Sequence, residues 1–215
     1  MTHAKEALER LLEGNARFAQ TSSTHPRLEP DRRVRLLEGQ QPFAVILGCS
    51  DSRVPPELIF DQGLGDLFVV RTAGHVLGRA VLESVEYAVS HLETALVLVL
   101  AHSDCGAVKA AVSGRDAPHE QMSLLVSEIL PAVEEASALP GDPVNNAAKI
   151  HARRTADLLR AESHVMKEME RSDRGAAVPA FYDLGSGRVE LLPGQGRAVP
   201  SNTGSNPFPE RLPDV

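Results

Sequence analysis

Phe43-Ala-Val-Ile-Leu-Gly48 is a continuous apolar run that ends on a glycine, and Cys49-Ser-Asp-Ser-Arg53 follows it directly. A strand with one wet face alternates apolar and polar residues. A run without alternation predicts a strand covered on both faces, as in a parallel sheet. Asp66-Leu-Phe-Val-Val-Arg71 and Ala95-Leu-Val-Leu-Val-Leu-Ala101 read the same way. Between these two, Arg79 to Leu92 carries Val81, Leu82, Val85, Val89 and Leu92 at helical spacing. Strand, helix, strand in that order predicts a right-handed parallel crossover. The expected fold class is α/β, a central, mostly parallel β-sheet flanked by helices.

Outward from this core, residues 4–19 place Ala7, Leu8, Leu11, Leu12 and Phe18 on one helical face. A short helix is expected over about residues 32–38, another from Cys105 to about Ser113, and longer ones over about 120–138 and 143–171. Val178 to Leu184 and Arg188 to Leu192 flank Gly185-Ser-Gly187, which predicts a C-terminal hairpin pair of strands. Residues 1–192 are read as a single domain. Residues 1–30 form an N-terminal arm that docks on a neighbouring copy, and 193–215 an irregular tail rich in proline and glycine.

The 215 residues suffice for one compact domain, and 42% apolar with 24% charged residues is ordinary for a soluble one. The net charge of −7, with lysine and arginine scattered, excludes the clustered basic surface that nucleic acid requires. The start of the chain has no apolar stretch after a basic one, and the longest apolar run, Ala95 to Ala101, is too short for a bilayer. No membrane partner and a cytoplasmic location are expected. Cys49 and Cys105 are the only cysteines. In a reducing compartment a structural disulfide is disfavoured, which raises metal or catalytic use.

Both cysteines follow apolar strands, where open parallel sheets bind their ligands. Cys49 follows the first run, and Ala101-His-Ser-Asp-Cys-Gly106 continues the third. The spacing His102-x-x-Cys105 puts two ligands on one side of a turn, with Cys49 as a third from the neighbouring strand. Two thiolates and an imidazole suit zinc, leaving a fourth position for water or Asp51. A single buried cysteine is usually inert filler; both cysteines with a histidine at ligand spacing favour metal. A purely structural zinc site closes with four Cys or His ligands, and here the nearby fourth donor is a carboxylate with Arg53 two residues on. A phosphate-cradling reading of Cys49 and Arg53 fails, because the loop between them is short and acidic.

At these residues the sequence resembles the β-class carbonic anhydrases, in their bacterial branch. The resemblance rests on Cys49-Ser-Asp-Ser-Arg53 and His102-Ser-Asp-Cys105, and continues through Phe60 to His75, Ser84 to Val89 and Phe181 to Val189. It implies a lyase that interconverts carbon dioxide and bicarbonate, with one Zn²⁺ per chain held by Cys49, His102 and Cys105. Asp51 and Arg53 match a catalytic dyad that orients zinc-bound hydroxide, and Asp51 is also a candidate fourth zinc ligand. Gln40, Phe68 and Tyr87 match substrate-pocket positions, with the Gly106 amide beside them. The partners implied are the small-molecule substrate and further copies of the chain, as a homodimer or a dimer of dimers. Two thiolate ligands donate more charge to zinc than imidazoles do and so lower the pKa of its bound water less, and activity is expected to rise through roughly pH 7 to 8.5.

Two departures stand out. Ala101 replaces the usual glycine, and Thr72 and His75 replace residues that are commonly asparagine. His75 is read as a polar filler in preference to a proton shuttle, and His91, His119, His151 and His164 as surface residues. One branch of the family is locked by bicarbonate through a tryptophan, an arginine and a tyrosine. Arg71 and Tyr182 match two of these, but Ile46 stands at the third, so the lock is expected to be weak or absent. The alternatives to carbonic anhydrase are a related zinc hydrolase acting on carbon disulfide or carbonyl sulfide, and a non-catalytic zinc or thiol-switch module. Retention of both Asp51 and Arg53 speaks against the latter.

Overall fold

The computed structural model describes residues 3–114 and 123–194. Their order is α1 (His3–Ala19), α2 (Pro30–Arg35) with a 3-10 turn (Leu36–Glu38), β1 (Ala44–Cys49), α3 (Pro56–Ile59) and β2 (Leu67–Thr72). A 3-10 turn (Ala73–His75), α4 (Arg79–His91), β3 (Leu96–His102), α5 (Gly106–Val112) and α6 (Ser123–Ala136) come next. The chain continues through α7 (Pro143–Glu162), α8 (His164–Arg171), β4 (Ala176–Tyr182) and β5 (Val189–Leu191). The sheet runs β2-β1-β3-β4-β5; β1, β2, β3 and β4 are parallel and β5 is antiparallel to β4. The α/β expectation therefore holds, hairpin included. The tail expected over 193–215 lies outside the described residues from position 195 on. Among the described residues no helix is long and apolar enough to cross a membrane.

The unbroken apolar runs follow from burial on two faces. Val45, Leu47, Cys49, Val97, Val99 and Ala101 join one core layer, which also holds Ala148, Ala152, Ala156 and Leu159 of α7. Ile46, Leu96, Leu98 and Leu100 join the other, beneath Ala7, Leu8 and Leu11 of α1. Successive strand side chains alternate between the two layers, so Cys49 and Ile46 belong to opposite faces.

Three expectations need correction. The N-terminal arm does not leave the body of the chain: α1 packs on its own sheet. A Cβ on Gly14 would stand 1.8 Å from the Phe60 carbonyl oxygen, so only glycine lets α1 approach α3 this closely. The Asn15 amide donates to the carbonyls of Ile59 (3.2 Å) and Gly187 (2.9 Å), and its oxygen accepts from Val189 N (2.8 Å). Arg17 pairs with buried Asp61 at 2.6 Å. β2 is not buried on both faces: it forms one edge of the sheet, and all six of its residues are partly exposed. The helical stretch 143–171 breaks at Ser163, which caps α8 by accepting from Met166 N (3.1 Å) and donates to Glu86 (2.6 Å).

Candidate metal centre

β1 and β3 are neighbours in register, Gly48 beside Leu100, so their carboxyl ends emerge side by side. The first presents Cys49, the second His102, and the turn after it Cys105 as the residue preceding α5. The sulfurs of Cys49 and Cys105 lie 4.0 Å apart, and the donor atoms of all three residues lie within 4.8 Å of one another. All three side chains are buried. His102 Nδ1 contacts the Ser103 carbonyl at 2.8 Å, an acceptor, so that nitrogen carries the proton. The Nε2 lone pair is then left free, buried, with no partner in the protein.

This donor set fits zinc. Two thiolates bound about 2.3 Å from a tetrahedral ion stand roughly 3.8 Å apart, close to the observed separation. The orphaned imidazole nitrogen is the kind of buried polar atom that a cation satisfies. Cys49 accepts hydrogen bonds from the Cys105 thiol and from the Asp51 (3.4 Å) and Gly74 (3.3 Å) amides, and these, with the His102 ring beside it, hold it down to about 4 against burial. Cys105 donates to Cys49 and is buried, which pushes its thiol far up. The pair therefore shares one proton, with thiolate character on Cys49, the form that binds metal.

Asp51 lies beside this cluster and outside it. Arg53 donates to it three times, from its backbone N (2.9 Å) and Nε (3.0 Å) to Oδ1 and from Nη2 to Oδ2 (2.8 Å). The guanidinium holds the carboxyl far below the usual carboxylate range. Oδ2 is 4.0 Å from His102 Nε2. The far side of Arg53 reaches Asp104, through Nη1 to Oδ2 at 3.2 Å. Arg71 ties down the loop, donating to the carbonyls of Cys49 (2.8 Å) and Asp51 (2.5 Å). Gly106 opens α5, and a Cβ there would meet nothing within 4 Å.

Gln40, Phe68 and Tyr87 are not brought to this cluster within the chain. Phe68 pairs in register with Val45, at the amino end of β1, and Gln40 precedes that strand. The two ends of β1 are roughly 17 Å apart. The Phe68 and Tyr87 rings are 6.2 Å apart, Tyr87 stacks on His91 at 4.9 Å, and His91 lines a surface groove with Gln40. The three residues thus share a region of their own.

His151 is not a surface residue. It is 4% exposed, and its ring lies 4.6 Å from that of His75, itself 1% exposed. Burial drives both imidazoles toward the neutral form, His75 well below its ordinary value and His151 to about 4. A group that stays neutral and sealed from solvent cannot hand protons to bulk water near pH 7, which agrees with reading His75 as filler. His91 and His164 are exposed, and His119 lies outside the described residues. Sequence reasoning missed Asp104 and the Gly74 amide. The signal for the first was its place inside His102-Ser-Asp-Cys105; for the second it was a glycine that takes φ 63°.

Comparison with known proteins gives a consistent answer. Residues 44–189 match the family model described as carbonic anhydrase. Carbonic anhydrase 2 of Mycobacterium tuberculosis is 42% identical over 193 residues, which cover 88% of this chain and 93% of that protein. A carbonic anhydrase of Mycolicibacterium smegmatis is 41% identical over 84% of this chain and 89% of its own length. Among solved structures, a β-carbonic anhydrase of Aspergillus fumigatus superposes with a TM-score of 0.69 at 27% identity, covering 87% of this chain and 89% of that one. A tetrameric β-carbonic anhydrase of Sordaria macrospora shares the fold, with a TM-score of 0.71 at 23% identity over 90% of this chain and all of that one.

Proposed function

The chain belongs to the carbonic anhydrase family, in the bacterial β-class branch, and from that membership we propose that it converts carbon dioxide and water into bicarbonate and a proton, reversibly, with zinc held by Cys49, His102 and Cys105. The observation that carries the proposal is the convergence of these three buried donors within 4.8 Å at the ends of two adjacent strands. Bound there, zinc supplies the Lewis acidity that brings the pKa of a water toward neutrality.

The remaining work falls to the chain's own side chains. Asp51, kept ionised by Arg53, offers an acceptor beside the cluster. It takes the hydrogen bond of the attacking water and so directs a lone pair at the carbon of carbon dioxide. Arg53 fixes the carboxylate in one orientation with two parallel bonds. The Gly106 amide is a donor for the oxygen on which charge develops.

Gln40, Phe68 and Tyr87 serve this site from a second copy. Their distance from Cys49 in one chain supports that arrangement. So does the exposed apolar surface next to Gln40, where Leu37 is 85% and Val34 64% exposed. In the homodimer, or a dimer of dimers, they give a small apolar slot suited to an apolar gas. Residues 1–192 work as one domain. Two free, buried cysteines suit a reducing cytoplasm.

Stopped-flow carbon dioxide hydration by the zinc-loaded protein, beside assays with carbon disulfide and carbonyl sulfide, tests the proposal. Hydration well above background is expected. Turnover of the sulfur compounds alone would contradict it.

A further inference from the structure

We infer that Asp104 is a positioning residue for the reaction: it holds the outer edge of the Arg53 guanidinium, so that the inner edge meets Asp51 in a single orientation. The inference rests on the proposed Asp51–Arg53 dyad.

Arg53 belongs to the loop after β1 and Asp104 to the loop after β3, between His102 and Cys105. The guanidinium spans the two loops. Nε and Nη2 face Asp51, Nη1 donates to Asp104 Oδ2 at 3.2 Å, and Nη2 also donates to the Asp104 carbonyl at 3.3 Å. With one carboxylate on each edge, the planar group cannot swing about its long side chain without breaking several bonds at once.

Asp104 is itself fixed by two further contacts. Its other carboxylate oxygen pairs with Lys109 of α5. Its backbone N donates to Asn145 Oδ1 at 3.2 Å, and Asn145 N is bound in turn by the α7 cap Asp142 at 2.7 Å. Its φ is +60°, a left-handed conformation that aspartate tolerates better than most residues. The backbone is thus held where the carboxylate meets Arg53. An exposed ion pair alone contributes little to stability, and the side chains of Arg53 and Asp104 are both about half exposed. The role that fits this geometry is orientation, not folding.

The test uses the zinc-loaded full chain as wild type, Asp104→Ala, Arg53→Ala, the double variant and Asp104→Glu. Asp104→Ala should lower kcat about tenfold at unchanged zinc content, with only a modest fall in melting temperature from alanine at a left-handed φ, and less than about twofold when Arg53 is already alanine. Asp104→Glu, which keeps the carboxylate, should recover part of the loss. In ¹H–¹⁵N spectra, the Arg53 Nε–H signal, assigned by its absence in Arg53→Ala, should broaden or move in Asp104→Ala. Equal losses in both backgrounds, a kcat within about twofold of wild type, or an unmoved Nε–H signal would overturn the role of Asp104. Full activity of Arg53→Ala would instead overturn the dyad beneath it.

Discussion

Arg53 meets Asp51 edge to edge, Nε on Oδ1 at 3.0 Å and Nη2 on Oδ2 at 2.8 Å, so both carboxylate oxygens are engaged while the three metal donors stand apart. Orientation of the nucleophile and retention of the metal are therefore separate tasks. Asp51→Asn and Arg53→Ala should each keep about one zinc per chain and lose roughly 10²–10³ in kcat, typical of a group that acts in the transition state. Metal analysis and stopped-flow rates on the same samples check this. Near-normal hydration in either variant would refute the role of the dyad.

Removal of a donor should act on the metal first. Cys105→Ser replaces a buried thiolate ligand by a hydroxyl that binds zinc poorly, and most of the zinc should be lost on purification. Elemental mass spectrometry reads this directly. A variant that retains zinc at full occupancy would sink the ligand assignment.

The buried histidines give stability a pH dependence of definite sign. His151 titrates at about 4 in the folded chain against an ordinary 6.5, so between these values the unfolded chain binds the extra proton. Stability is then complete above about 6.5 and falls as the pH drops toward 4, by roughly 3 kcal/mol for His151 alone. His75 acts in the same direction. Asp61 adds a lower window: burial raises it, but Arg17 and the Thr24 and His25 amides outweigh this and hold it at about 2 against 3.8. Its contribution is present above about 4 and lost toward 2. Guanidinium unfolding at saturating zinc from pH 7 to 5 should show a slope that His151→Leu reduces. Parallel slopes in the two proteins would contradict the assignment.

Leu37 marks the face proposed for the second copy. Leu37→Glu should shift the chain to a monomer in sedimentation velocity and lower hydration with zinc retained, because Gln40, Phe68 and Tyr87 no longer reach a neighbouring metal centre. A fully active monomer would show that these residues are not needed from a partner.

Bicarbonate should not sharpen the pH profile. Ile46 is wholly buried in the α1-side layer and has no donor to offer, whereas Arg71 is committed to the carbonyls of Cys49 and Asp51. The absent hydrogen bond weakens an anion there by about ten- to a hundredfold. Rates should rise smoothly through roughly pH 7 to 8.5. A steep sigmoid sharpened by added bicarbonate would mean that a lock operates without tryptophan.

The strands were legible because burial on both faces leaves a mark in composition, and the metal donors because cysteine is scarce and strand ends are where sites form. Edge position is less visible: β2 carries the same apolar run as β1 and β3, yet among the described residues it has a neighbouring strand on one flank only. Whether α1 docks on its own chain or another was also unreadable, since Leu8 and Leu11 would suit either; the decisive contacts come from Gly14 and Asn15, which look unremarkable in sequence. His151 was misread because a histidine on a helix signals burial only through what packs on it, here His75 from 76 positions away. Gln40, Phe68 and Tyr87 fit a pattern of residue types, and a pattern does not say which copy supplies them.

Cys49 and Cys105 are 56 positions apart, and β2, which lies between them in the chain, sits on the far side of β1 from β3 in the sheet. His102 and Cys105 are close in sequence, but the complete three-donor site has no local precursor. It exists only once β1 and β3 have paired over the excursion that places β2 at the edge, and such long-range parallel pairing is slow. Metal capture then comes late in folding, as a seal on a finished sheet and not a nucleus for it. In refolding experiments zinc uptake should trail the recovery of helical signal, and a chain stalled before β3 docks should be unable to hold the ion.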